Sequence, residues 1–159
     1  MSVTITIKTA SLFSELKVKS YMNTARIKDP EDQYAVRAGE ENESELKQAF
    51  QDAWREMLSR VRLFLETTAD ASGSDQTVAN MTTTDQTLSF NLSVRRTSNI
   101  AAALAEAIHE YLTAATLRRF YTSAAEGSLA QLYAAGEAEA RGCILTLLHT
   151  KLEPVYDED

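Results

Sequence analysis

The chain has 159 residues, 44% of them apolar and 25% charged, and its 16 basic and 23 acidic side chains give a net charge of −7. That length and composition predict a single domain over 1–159 with a full core, and no run approaches the roughly 18 apolar residues of a membrane helix. One cysteine, Cys143, excludes an internal disulfide, two histidines leave little for a metal centre, and the start Met1-Ser2-Val3-Thr4-Ile5 lacks a secretory signal, so a soluble cytosolic domain is expected.

Val3, Ile5 and Ile7 alternate with Thr4, Thr6 and Lys8, the period of a short strand with one buried face. From Ser11 the period lengthens. Leu12, Leu16, Val18, Tyr21, Met22 and Ala25 predict a helix capped by Ser11. Residues 27–42 are polar and contain the acidic turn Asp29-Pro30-Glu31-Asp32, a loop. Asn42 and Glu45 resemble a capping box. Behind them Leu46, Ala49, Phe50, Ala53, Trp54, Met57, Leu58, Val61, Phe64 and Leu65 keep helical spacing for more than five turns.

Residues 67–87 form a polar stretch in which Val78 and Met81 are the only large apolar side chains, which predicts a long exposed arm. Leu88, Phe90, Leu92 and Val94 then alternate with polar residues as a second strand, whose natural partner is the strand at 3–7. Thr97-Ser98-Asn99 offers caps for a helix from about Ile100 to Ala125. Its stripe runs through Leu104, Ile108, Tyr111 and Leu112 and then shifts to Leu117, Phe120 and Tyr121. Gly127 is expected to stop that helix and Ser128 to cap the next. The last helix has a seam of Leu129, Leu132, Tyr133, Gly136, Ala140, Cys143, Ile144, Leu147 and Leu148. Gly136 suggests close approach of a neighbouring helix, and the two helices should form an antiparallel hairpin. Residues 155–159 are an acidic tail. The fold class is therefore α+β, mainly α: about four helices with a long C-terminal hairpin, a small β element of two or more strands, and an exposed arm. Its core is expected to include Phe50, Trp54, Leu58, Leu104, Ile108, Tyr133, Cys143 and Leu147.

Charge and motifs exclude most chemistry. No segment clusters Lys and Arg as phosphate neutralisation requires, so tight binding to nucleic acid or an anionic membrane is not expected. Glu106 and His109 have the Glu-x-x-His spacing of di-iron helices. A complete site needs a second pair, and Thr146 stands where a glutamate would have to precede His149. His109-Glu110-Tyr111-Leu112-Thr113 fails as a zinc motif because Thr113 replaces the second histidine. Cys143 lies on the apolar seam as a small hydrophobe. With five glycines and no phosphate-cradling or nucleophile-elbow motif, no catalytic residue, metal or cofactor is expected and the chain does not read as an enzyme. Arg95-Arg96 and Arg118-Arg119, the latter beside Phe120-Tyr121, fit ordinary surface charge with buried stems. They also have, with the neighbouring aromatic residues, the residue types of interface anchors.

The layout resembles the small head–tail connector (adaptor) proteins of tailed phages and prophages. The likeness is carried by the short helix Leu16-Lys17-Val18-Lys19-Ser20-Tyr21-Met22, the acidic loop Asp29-Pro30-Glu31-Asp32, the stretch Ala101 to Tyr121 with its Ala-Ile-His-Glu-Tyr-Leu core, and Tyr133 to Lys151. The two strands depart from the plainest all-helical members. The resemblance implies a non-enzymatic virion structural protein at the head–tail junction, assembled in the bacterial host cytoplasm. It would form a homo-oligomeric ring, commonly of about a dozen copies, between portal and tail or neck proteins, with DNA passing the channel without sequence-specific binding and no membrane involved. Ring contacts would then use Arg95, Arg96, Arg118, Arg119, Val78 and Met81, and charge reversal at Arg118-Arg119 should weaken assembly while leaving helicity intact. A tail-completion or other neck or tail ring protein shares these features. A cytosolic helical adaptor for one protein partner is a reading from another class.

Overall fold

The computed structural model describes residues 2–24, 42–66, 80–92 and 99–149. The acidic loop, Val78, Arg95, Arg96 and the 155–159 tail lie outside them. The elements run β1 (Ser2–Ile7), α1 (Thr9–Thr24), α2 (Glu43–Val61), a 3-10 turn (Arg62–Phe64), β2 (Gln86–Asn91), α3 (Ile100–Ser123) and α4 (Gly127–His149). Among the described residues the fold is α+β and mainly α: four helices and a two-stranded antiparallel sheet.

β1 and β2 pair from Ser2 with Asn91 to Ile7 with Gln86. This register sets Val3 opposite Phe90 and Ile5 opposite Leu88, all buried, so one face of the sheet packs inward and β1 lies against α3. α2 does not continue to Leu65. It ends at Val61, and after the 3-10 turn Leu65 bridges to Phe90 while the Glu66 N–H donates to Ser89 O at 2.9 Å. The chain leaves the helix to cover part of the β2 edge, which would otherwise present unpaired backbone groups.

One further boundary, one cap and one side chain differ from the expectation. α1 begins at Thr9, ahead of Ser11. Its Ala10 N–H donates to the Asp85 carboxylate at 3.3 Å, and the Thr9 hydroxyl donates to Thr84 O at 3.0 Å. The cap comes from residues 75 positions away in sequence, where no local pattern reveals it. Asn42 occupies the N-cap of α2 but makes no side-chain capping bond; its carbonyl accepts from Leu46 N–H instead. At the other end of the arm Met81 is fully buried, a core anchor held beside the turn in which Thr83 and Thr84 N–H groups return to Asn80 O.

α3 is the centre of the molecule. Residues Tyr111 through Leu117 are buried without interruption, so α3 has no solvent stripe over two turns and is packed all round. α1, α2, α4 and β1 all rest on it. The turn from α3 to α4 is tight as expected, but its left-handed residue is Ala125, at φ 60°, and Gly127 is already the first residue of α4. Glu126 N–H closes the turn on Tyr121 O at 2.9 Å, the six-to-one bond of a Schellman ending. At Gly136 a Cβ would lie 3.7 Å from the Ala114 Cβ. The two helices do come close there, yet at a distance an alanine would also allow.

A left-handed alanine costs about 1–2 kcal/mol that a glycine avoids. Ala125→Gly should therefore raise stability by up to about 1 kcal/mol once the extra backbone entropy of glycine is subtracted, or roughly 2–4 °C in Tm. A thermal melt in which the variant unfolds earlier than the parent would contradict this geometry.

Candidate functional site

Arg118 and Arg119 are consecutive on α3, so their side chains leave the helix about 100° apart. One turns to α4 and the other to α2. The Arg118 guanidinium meets the Glu137 carboxylate through two hydrogen bonds, from Nε to Oε2 and from Nη2 to Oε1 at 3.2 Å. Glu137 is only 7% exposed, a charge that is stable in such a position only with this partner. Arg119 donates to Glu56 on α2, whose other oxygen accepts from Arg60 Nη2 at 2.6 Å. The five side chains make three ion pairs, two of them sharing Glu56, that bolt α2, α3 and α4 together at one end of α3.

The cluster sets its own protonation. Burial pushes the Glu56 carboxyl up, but the Arg60 hydrogen bond and the charges of Arg119, Arg60 and Arg118 outweigh it and hold the group below the ordinary carboxylate value. The Glu137 hydrogen bond raises Arg118 and the Glu56 hydrogen bond raises Arg60, so both stay charged. Tyr111 sits behind them with a buried hydroxyl beside Arg60. Burial first, and then the charges of Glu56 and Glu137, push its ionisation up and keep it neutral. Met57, Arg60, Val61, Tyr111, Arg141, Ile144 and Leu145 line a cavity with room for about one water, far below the several hundred Å³ of a small-molecule site.

A second polar knot ties α1 to the hairpin. Asn23 Nδ2 donates to the Tyr121 hydroxyl at 3.0 Å and the Tyr133 hydroxyl at 2.8 Å, and the two tyrosine rings stack at 5.8 Å. His109 Nε2 lies 3.4 Å from a Glu15 carboxylate oxygen on α1, while Glu106, its partner in the di-iron spacing, is exposed. Among the described residues no three His, Cys, Asp or Glu side chains gather as ligands for a metal. Among the described residues no helix is long and apolar enough to cross a membrane.

Of the residues expected in the core, Phe50, Trp54, Leu58, Leu104 and Ile108 are buried, and Tyr133 and Leu147 are half-buried against it. Cys143 is exposed. α4 turns Leu129, Glu137, Ala140, Ile144 and Leu148 inward; with Glu137 drawn in by Arg118, the seam rotates and leaves Cys143 and Leu132 outside. Met81, expected at an interface, is core. Arg118 and Arg119 are occupied within the chain, so reversing their charge would set carboxylates against Glu137 and Glu56 and disturb the fold itself.

What sequence reasoning missed is a set of outward apolar side chains. α1 buries Leu12, Phe13, Leu16, Ser20 and Asn23 and presents Val18, Tyr21 and Met22 to solvent, exposed by 59%, 50% and 68%. Leu63 and Leu132 are exposed as well. The helical spacing of Leu12, Leu16, Val18, Tyr21 and Met22 does not by itself say which of them face inward. The buried Ser20 and Asn23 show the true inner face, because their polar groups are engaged there.

Two outcomes follow from the charge cluster. Glu137→Ala should cost about 2–3 kcal/mol, less than the 3–5 of a fully buried broken pair because Arg118 retains some access to water. The double variant Arg118→Met/Glu137→Met should recover most of that loss in denaturant titrations. Because the Glu56 value is lowered in the folded state, its contribution is present above the ordinary carboxylate value of 4.5 and is lost as pH falls through the lowered one. Unfolding free energy measured between pH 7 and 3 should therefore decline less steeply in Glu56→Gln than in the parent.

Comparison with protein-family models, with characterised protein sequences and with solved structures gives no match to this chain.

Proposed function

We propose that the chain is a non-enzymatic structural protein that assembles with copies of itself into a ring of the head–tail connector type. The observation that carries this reading is a set of outward apolar side chains, Val18 and Met22 on α1 and Leu132 on α4, which a chain working alone would gain by burying. The order of elements supports it. A short first helix, an amphipathic second helix, a β excursion and a helical hairpin follow one another as in the connector plan. Net charge supports it too, since a wall of acidic copies repels DNA and lets it slide without adhering.

Light scattering over a concentration series, with negative-stain images of the largest species, tests the reading. A closed ring of about a dozen copies is expected. A compact dimer, or a monomer at every concentration, would overturn it in favour of a helical adaptor that binds one partner protein.

A further inference from the structure

α4 is the least covered helix of the four. It buries five of its 23 residues, whereas α3 buries 13 of 24. A helix face that meets water normally carries charged side chains. Between Gln131 and Thr146, Glu139 is the single charged residue that is exposed; around it stand Leu132, Ala135, Ala138, Gly142 and Cys143. On α1 the pattern is inverted. Val18 and Met22, one turn apart, project large apolar side chains outward, and between them stands exposed Lys19.

We propose that these two faces are the two halves of one contact: α1 of one copy packs on the outer face of α4 of the next. The large side chains of α1 fill the relief left by alanine and glycine on α4, as ridges fill grooves between helices, and Lys19 meets Glu139 with opposite charge. The charges also argue against the simplest alternative. Glu139 stands next to the midpoint of α4, so a two-fold α4–α4 pairing would set Glu139 against Glu139. Two different patches on one chain make a head-to-tail contact, which closes into a ring when the rotation between copies permits.

Area sets the strength of the contact. A strip the length of the shorter helix, α1 with its 16 residues, is about 24 Å long; at about 10 Å wide it buries roughly 500 Å² over both partners, below the 1,200 Å² or more of stable pairs. One such contact does not hold a dimer. A closed ring gives every copy two, so assembly passes from monomer to ring with little dimer between. This inference rests on the self-assembly reading above and assigns the surfaces that carry it.

The native Cys143 provides the test. In the variant Met22→Cys/Cys143→Ser the only thiol lies on α1; in the parent the only thiol lies on α4. The two proteins are mixed while dilute, then concentrated under mild oxidant and run without reductant. The mixture should yield a disulfide-linked species of twice the chain mass joining one copy of each, and neither protein alone should. Abundant dimer from the parent alone means α4 meets α4 and overturns the contact. Rings in negative stain without the mixed disulfide overturn the contact and leave the ring reading standing. Monomers throughout overturn both.

Discussion

Everything in this structure is arranged around one helix that must be hidden from water on all sides. Over Tyr111 to Leu117 α3 offers no polar stripe, so neighbours have to cover it on every side, and β1, α1, α2 and α4 supply that cover. A central helix of this kind brings a difficulty at its end, where charged residues resume. Arg118 and Arg119 emerge among packed elements rather than into open solvent. The carboxylates of Glu137 and Glu56 are the counterpart that makes this tolerable, and the two arginines themselves, as cations near the C-terminal end of α3, agree with the sign of the helix dipole. The apolar helix thus explains the ion pairs, and the ion pairs explain how α2 and α4 are oriented around it.

The sequence showed much of this frame. Alternation in Val3-Ile7 and Leu88-Phe90 identified the strands and their pairing, because a single exposed strand has no partner for its backbone. The helical spacing of Leu46 to Val61 identified the buried face of α2 residue by residue. The shift in the α3 stripe after Ala115 was the trace of all-round burial, legible only once burial was known to be continuous.

What stayed hidden shares one cause: polar groups whose places are set by partners distant in the sequence. Glu137 takes a core position on account of Arg118, and this displaces Cys143 outward. Ser20 and Asn23 face inward because Tyr121 and Tyr133 await Asn23, so Val18 and Met22 face out. Asp85 caps a helix that starts far earlier in the chain. Hydropathy and spacing carry no record of such pairings. The candidate surface was therefore less legible than the fold, since it is the residue left after these polar choices are made.

The β1–β2 ladder has a consequence for the order in which the molecule is made. Thr4 and Ser89 are neighbours across the sheet and 85 positions apart in sequence. On a ribosome adding about 5–20 residues per second, the first strand waits roughly 4–17 s before its partner exists. During that interval Val3, Ile5 and Ile7 form an apolar strand with both edges open, the kind of segment that pairs with the wrong chain. β1 is synthesised well ahead of the strand it pairs with and is among the last elements to find its place, so the hazard in producing this protein lies in the nascent chain more than in the finished fold.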